Sequence, residues 1–342
     1  MARATTAQLI GQRLLGSIPS VIGVVIVTFI LTRALPGDPA AFLAGPAATP
    51  AAIADIRTSL GLDRTLPEQF FLYVGALFRG DLGLSYTTGQ TVVYDLITRL
   101  PASLELTGAA LIFAIALSLP LGILAAVRPN SWMDHGVRVL ATAGVSMPTF
   151  FTGLFLVYIF YYLLGWVPAP TGRIDLLFSS PPRATGFFLI DSLLAGDMRG
   201  FWASARQLFL PAVTLGLFAL APLARVTRAA MLAILSSDFI RTARASGLPP
   251  RQILFGYAFR NALLPVVTTL GVVFSFLLGA NILVEKVFAW PGIGSYAVEA
   301  LVASDYAPIQ GFILTMALLY VLLNLVIDLL YVVIDPRAGV DG

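Results

Sequence analysis

The stretch Ser236–Pro265, SSDFIRTARASGLPPRQILFGYAFRNALLP, is the one long polar and basic segment between two apolar runs of this chain. Asp238 suits the first turn of a helix, because a carboxylate there interacts favourably with the helix dipole. Gly247 suits the position after a helix, and Pro249-Pro250 prevents that helix from continuing. A second helix can begin near Pro250. The stretch therefore predicts two short helices joined by a tight turn.

Charged and apolar positions alternate along the two predicted helices. Arg241 and Arg244 share one face at i, i+3 spacing, and Ala243 leaves a small patch between them. The second helix has an apolar stripe formed by Ile253, Leu254, Tyr257 and Ala258. Two interpretations follow from the residues alone. The segment is either a basic loop that only fixes membrane topology, or a compact helix pair that seats in a groove of another protein.

The composition indicates an integral membrane protein. Of the 342 residues, 58% are hydrophobic and 11% are charged, whereas a soluble domain carries about 25% charged residues. The mean hydropathy is +0.88. The absence of cysteine excludes disulfides and cysteine metal sites, and the single histidine, His135, excludes a multi-histidine cluster. The net charge of +3 does not indicate a nucleic-acid partner, because the arginines flank apolar runs.

Windows without charged residues predict six membrane-spanning helices, since a span needs about 20 mostly apolar residues. We place the spans at 14–33, 103–127, 139–164, 207–231, 262–284 and 307–334. The outer segments are then 34–102, 165–206 and 285–306, and the cytoplasmic segments are 1–13, 128–138, 232–261 and 335–342. The predicted fold is an all-α polytopic membrane protein with a core domain at about residues 100–335.

The distribution of charge predicts that both termini are cytoplasmic. The inner segment 225–260 carries six Arg and one Asp, whereas the outer segment 33–105 carries five Arg and seven acidic residues. An excess of Arg in short loops marks the cytoplasmic side. The first span has flanking arginines and a poor cleavage site after it, so we interpret it as an uncleaved anchor.

Several segments together resemble one family of transport proteins. Asp238–Leu248 (DFIRTARASGL), followed by Arg260–Pro265 (RNALLP), resembles the "EAA" loop of binding-protein-dependent ABC importer permeases. Phe288–Gly294 (FAWPGIG) and Gly80–Gly83 (GDLG) are similar to further segments of the first permease in dipeptide and oligopeptide systems. Ser246 stands where that subfamily commonly has lysine. The resemblance covers nearly the whole chain.

The resemblance implies a type I, MetI-like permease fold in the bacterial inner membrane, forming half of a translocation pathway for dipeptides or short peptides. It implies coupling to ATPase subunits through Asp238, Arg241, Thr242, Ala243, Arg244, Ala245, Gly247 and Leu248. The implied partners are a second homologous permease, two cytoplasmic ABC ATPase subunits and an extracytoplasmic peptide-binding protein. The implied mechanism is alternating access. No cofactor is expected in this chain, because ATP and Mg would bind the ATPase subunits.

Asn324 and Asp328 lie at i, i+4 on one face of the last predicted span. A carboxylate at membrane depth is costly and is usually paired or faces water. The pair is therefore interpreted either as part of a translocation path or proton relay, or as a structural tie to Arg225 or Arg228.

Three further positions carry a functional and a structural interpretation. Glu105, with Arg99 and Arg33, could meet a docked binding protein or substrate at the outer mouth, or be a solvated interfacial charge. The Trp290 segment could form a re-entrant outer turn or belong to the aromatic belt. His135 is interpreted as a surface residue.

Known catalytic motifs are missing from the sequence. There is no G-x-x-x-x-G-K-[ST], H-E-x-x-H or G-x-S-x-G sequence, so we expect no enzymatic activity in this chain. The alternative function is an ion-gradient-driven secondary transporter. That alternative predicts ionisable or broken-helix sites near the bilayer midplane, and the six spans offer few such charges.

Overall fold

The computed structural model describes residues 6–34, 38–45 and 47–334, and this part of the chain is helical, with one isolated β-bridge between Leu84 and Thr91. The helices are α1 Thr6–Ala34, α2 Pro39–Ala44, α3 Pro50–Ser59, α4 Leu66–Phe78, α5 Val92–Val127, α6 Trp132–Ser146, α7 Thr149–Leu156, α8 Phe188–Leu194, α9 Met198–Leu235, α10 Asp238–Ala245, α11 Arg260–Val287, α12 Ile293–Val302 and α13 Tyr306–Ile334. Two π-helical segments extend them: Val157–Leu163 continues α7, and Gln252–Phe259 leads into α11.

Four helical stretches of the described residues are long and apolar enough to cross a membrane: Val92–Val127, Met198–Leu235, Gln252–Val287 and Tyr306–Ile327. They coincide with the second, fourth, fifth and sixth predicted spans. The first predicted span is also helical, but its apolar part, Leu15–Leu31, is shorter. The topology of the termini stays a prediction.

The third predicted span differs from the prediction of one continuous helix. The helix α6 ends at Ser146, and Met147 and Pro148 then have extended backbones with ψ values of 136° and 139°. The reason is Pro148, which lacks an N–H and disfavours helical geometry in the residue before it. The span is therefore interrupted, and α7 begins anew at Thr149.

The core of the molecule is the packing of α5 against α9 and of α9 against α11. Small residues allow the first two backbones to approach closely. A Cβ atom on Gly216 would lie 3.0 Å from the carbonyl oxygen of Ala110, and one on Gly122 would lie 2.9 Å from that of Ala224. Such close contact is how membrane helices gain packing energy without a hydrophobic driving force between them.

The predicted outer segments contain short helices. The first segment holds α3, capped by the Thr49 hydroxyl, and α4, which begins with a Thr65–Glu68 capping box. The second segment contains α8 and the first turns of α9.

Candidate functional site

The helix α10 and its turn form the centre of the predicted coupling loop. Ser237 precedes the helix, and Asp238 lies in its first turn. The turn after it is a Schellman motif: the N–H of Gly247 donates to the Arg244 carbonyl at 3.0 Å, and the N–H of Leu248 donates to the Ala243 carbonyl at 3.3 Å. Gly247 has φ of +77°, which explains why a glycine stands there. The predicted helix and its end are confirmed.

The two faces of α10 differ sharply. Ile240 and Ala243 are buried against the membrane bundle. Arg241 and Arg244 are exposed, and Arg241 forms an ion pair with the exposed Asp238. Ala243 was predicted to be a surface patch between the two arginines, and that placement is wrong, because its position in the helix turns it towards the bundle. The remaining predicted coupling residues are exposed, apart from a half-buried Leu248.

An apolar cluster anchors α10 to three membrane helices. Its buried members are Ile123, Ala126, Met231, Ile240, Ala243, Ile253, Ala258 and Ala262. These residues come from α5, α9, α10, the π-helical segment and α11. Tyr257 is exposed, so the predicted apolar stripe of the second helix is only partly buried. The loop is therefore attached to the bundle by apolar packing while its basic side chains face outward.

A groove of about 430 Å³ lies beside this anchor. It is lined by Arg244, Leu248 and Pro250 of the loop and by Val127 and Leu235 at the ends of α5 and α9. The groove combines one guanidinium with apolar walls. It is a surface at which a short segment of another protein can contact both the loop and the membrane helices.

A second charged contact lies near the same end of the molecule, between the buried Asp134 and the partly buried Arg228. Both Asp134 oxygens accept hydrogen bonds from Arg228, at 2.5 Å to Nε and 2.7 Å to Nη2. The hydrogen bonds from Arg228 lower the pKa of Asp134 to about 2. The pair ties the start of α6 to α9. The sequence signal for this pair is an acidic residue, Asp134, in a short basic inner loop. Its partner, Arg228, is distant in sequence.

Arg228, one of the two arginines suggested as a tie to Asp328, pairs with Asp134. Asn324 is exposed on α13. The side chain of Asp328 lies outside the described part of the structure. His135 is exposed, and its Nδ1 lies 2.7 Å from a guanidinium nitrogen of Arg138, in agreement with a surface residue.

The predicted outer end of the bundle contains an ion pair in which both side chains are buried. Glu105 was interpreted as a group at the outer mouth with Arg99 and Arg33, but it is buried and pairs with Arg173 at 2.5 Å. Its other oxygen accepts a hydrogen bond from the Leu189 N–H at 2.9 Å. The structure does not bring the three predicted residues together. Arg99 lies over the Tyr296 ring, and Arg33 donates to the side-chain oxygen of Gln69 at 2.9 Å.

Asp191 holds the loop that carries Arg173 in place. Its carboxylate accepts hydrogen bonds from the backbone and hydroxyl of Thr185, both at 2.7 Å, and from the Gly186 N–H at 2.9 Å. Burial raises the pKa of Asp191, but these hydrogen bonds outweigh it and leave the pKa below its usual value. The Gly186 carbonyl in turn accepts a hydrogen bond from Arg173 at 2.8 Å. The second outer segment is thus fixed to α5.

Trp290 is buried, so the aromatic-belt interpretation is wrong. Its indole N–H donates to the Ala102 carbonyl at 2.8 Å. Beside it, Ser103 donates to Glu285 at 2.5 Å and accepts a hydrogen bond from the Ile293 N–H at 2.9 Å. The Trp290 segment is an outer turn that leads into α12 and is bound to α5. Within the described residues, no group of three or more His, Cys, Asp or Glu converges as a metal site.

Comparisons with known proteins identify the family. Residues 118–340 match the model described as "Binding-protein-dependent transport system inner membrane component", and residues 6–107 match the model of its N-terminal part. The chain is 46% identical over 331 residues to the probable D,D-dipeptide transport system permease protein DdpB of Escherichia coli, covering 97% of each chain. It is 44% identical to the di/tripeptide transport system permease protein DppB of Pseudomonas aeruginosa, covering 96% of this chain and 97% of that one.

A solved structure shares the fold. A chain from the methionine ABC transporter MetNI in inward-facing conformations superposes with a TM-score of 0.53 at 17% identity, covering 71% of this chain and 97% of that chain. This similarity confirms the MetI-like fold, and the family match excludes the secondary-transporter alternative. The chain belongs to the family of binding-protein-dependent transport system inner membrane components and is a permease subunit of an ABC importer.

Proposed function

We propose that this subunit forms half of the path by which dipeptides or short peptides enter the cell, and that α10 transmits movement from an ATPase to the membrane helices. The observation that carries the proposal is the two-faced α10, with exposed arginines on one side and a buried apolar anchor on the other. The peptide substrate is supported by the names of the two relatives, which transport D,D-dipeptides and di- or tripeptides.

The route of mechanical coupling follows the buried cluster. A partner bound to Arg241 and Arg244 displaces α10, and Ile240 then presses on its neighbours in the cluster. Met231 belongs to α9 and Ala262 to α11, so two membrane helices receive the displacement directly. Close packing transmits such a displacement because protein interiors have low compressibility.

The Asp134–Arg228 pair adds a polar connection to this route. It joins α6 to α9 close to the cytoplasmic end of the bundle. A carboxylate that accepts hydrogen bonds from two nitrogens of one guanidinium has a fixed geometry. The pair therefore makes α6 follow α9 when α10 is displaced.

The complete transporter in this proposal contains a second homologous permease, two cytoplasmic ABC ATPase subunits and an extracytoplasmic peptide-binding protein. ATP and Mg bind the ATPase subunits, whose closure moves α10 and exposes the path to the outside. Hydrolysis then returns the path to the inside, which is alternating access. Both termini of this subunit are cytoplasmic in the bacterial inner membrane, which puts α10 on the same side as ATP.

Charge reversal at Arg244 and substitution of Gly247 test this coupling. We expect R244E to weaken ATPase binding and Gly247→Pro to distort the turn, because proline cannot adopt the positive φ of Gly247. Both variants should insert in the membrane and lose ATP-dependent peptide uptake in reconstituted vesicles. R79E, a charge reversal at an exposed outer residue, is the matched control and should retain uptake. Normal ATP-driven uptake by both loop variants would contradict the coupling role.

A further inference from the structure

The second predicted outer segment, residues 165–206, contains four arginines that differ in whether the chain itself binds them. Arg173 and Arg183 donate hydrogen bonds to other parts of the chain. Arg199 and Arg206 are exposed, and neither forms a hydrogen bond or an ion pair with any residue that the structure describes. Two guanidinium groups at this end of the bundle are therefore available to a negatively charged group from outside the chain.

Both of these arginines line one cavity of about 1100 Å³. The rest of its wall is mainly apolar, and its aromatic members are Phe160, Trp166, Phe178, Trp202 and Phe209. Among the described lining residues, Asp175 alone is acidic, and its carboxylate accepts a hydrogen bond from the Leu177 N–H at 2.9 Å. The cavity therefore combines an excess of positive charge with an aromatic wall.

The helix α9 contributes one continuous stripe to this cavity. In chain order the stripe consists of Arg199, Trp202, Arg206 and Phe209. The spacings of three, four and three residues place these side chains on one face of the helix. A ligand lying along this face meets positive charge first and a purely apolar surface last.

The order of the stripe matches the order of chemical groups across one leaflet of a membrane. The predicted span 207–231 places Arg206 at the edge of the hydrocarbon core and Phe209 about 3 Å inside it, at 1.5 Å rise per residue. Arg199 lies about 12 Å outside the core by the same measure, and its long side chain can extend along the helix surface. The positive groups thus lie at the level of lipid phosphates, and the apolar end lies at the level of acyl chains.

Two tryptophans of the cavity support this depth. Trp166 follows the predicted span 139–164 by two residues, and Trp202 precedes the span 207–231 by five. Both side chains are more than half exposed. Tryptophan is enriched at the level of the lipid head groups, where its ring contacts the apolar layer and its N–H remains in a polar layer.

We propose that this cavity binds an anionic phospholipid, with its phosphate held by Arg199 and Arg206 and an acyl chain lying against Phe209. Guanidinium groups suit this role because their fork of N–H donors matches the oxygens of a phosphate. Basic pockets between membrane helices bind anionic lipid head groups. A soluble anion or a protein carboxylate would leave the apolar end of the stripe uncovered, which favours a lipid as the occupant.

Lipid retention by the assembled transporter tests the site, and the measurement needs neither ATP nor peptide. Phosphatidylglycerol, or phosphatidylcholine with the same acyl chains, is added to the purified complex in a neutral detergent, and native mass spectrometry measures the bound lipid. We expect R199Q/R206Q to lower the affinity for phosphatidylglycerol at least about tenfold, because two charges near the lipid surface are lost. R199K/R206K keeps both charges and should retain most of the preference for phosphatidylglycerol over phosphatidylcholine.

The control for this comparison is R79Q, at an exposed arginine of the first predicted outer segment. Lower lipid retention by R199Q/R206Q than by R79Q, at equal thermal midpoints without added lipid, supports the site. Retention by R199Q/R206Q equal to that of R79Q would overturn it, also where the double variant binds the external binding protein more weakly. If the double variant does not assemble, R206Q alone provides the same comparison.

The acyl wall has a test of its own. Phe209→Ala should weaken the binding of long-chain phosphatidylglycerol and leave that of a short-chain form nearly unchanged. Equal binding of the long-chain form by Phe209→Ala and the unaltered chain would overturn the acyl contact. Displacement of the bound lipid by an equal concentration of soluble glycerol phosphate would show that the arginines bind any anion and would overturn the assignment to a lipid.

Discussion

The two ends of the bundle differ in how they carry charge. At one end, α10 exposes Arg241 and Arg244 and packs on the bundle through apolar residues. At the end predicted to face outward, Glu105 and Arg173 are buried, bonded to each other and surrounded by further hydrogen bonds. Exposed charge is available to a partner, whereas a buried ion pair fixes the chain to itself. The end with α10 therefore presents charge at the surface, whereas the end with Arg173 uses its charge within the chain.

The outer ion pair provides the largest expected effect. Arg173→Ala leaves the Glu105 carboxylate buried without its cation, and loss of one partner of a buried pair costs about 3–5 kcal/mol. We expect a large drop in the thermal midpoint of the purified complex, with ATPase binding by the surviving protein unchanged. Arg183→Ala, at an exposed arginine of the same outer segment, is the control. A midpoint equal to that of the control would show that the outer pair contributes no stability.

The apolar anchor of α10 gives an intermediate effect. Ile240→Ala removes a fully buried side chain and should destabilise the packing of the loop by about 2–4 kcal/mol. Phe239, the preceding residue, is 46% exposed, so Phe239→Ala should instead weaken ATPase binding with little loss of stability. Hydrogen exchange in the loop and the affinity for the ATPase separate the two. Identical behaviour of the two variants would contradict the assignment of two faces to α10.

The Asp134–Arg228 pair gives the smallest expected effect, and it depends on pH. The pKa of Asp134 is lowered to about 2 in the folded chain from its usual 3.8. A carboxyl group whose pKa is lowered in the folded chain stabilises the fold at pH values above its unfolded pKa. This stabilisation is lost as the pH falls from about 4 to about 2. Asp134→Asn should cost about 1–3 kcal/mol at neutral pH and flatten the acid limb of a stability curve measured by denaturation of the detergent-solubilised subunit. An unchanged acid limb would exclude Asp134 as its source.

Local signals predicted the inner loop well. Gly247 and the two prolines that follow Leu248 determine the turn through their own backbone preferences, so the end of α10 was visible in the sequence. Whether Ala243 faces outward was not visible, because that depends on how α10 lies on the bundle. The helix break was signalled by Pro148, but the apolar character of residues 139–164 favoured one continuous span.

The ion pairs could not be predicted in the same way. Glu105 and Arg173 are 68 positions apart, and Asp134 and Arg228 are 94 apart. Charge patterning along one helix reports neighbours three or four residues away and carries no information about such distant partners. Glu105 was therefore interpreted as a group at the outer mouth, and Asp134 was not recognised as the partner of Arg228. Both errors come from reading charges without knowing which helices are adjacent.

The close approach of α5 and α9 at Gly122 and Gly216 has a mechanical consequence. Carbonyl oxygens lie where larger side chains would stand, so these two helices cannot slide past each other without a clash. Since α10 is anchored on both of them and on α11, we expect the bundle to turn as one rigid body. We then expect the hinge of the proposed transport cycle to lie outside this group of helices.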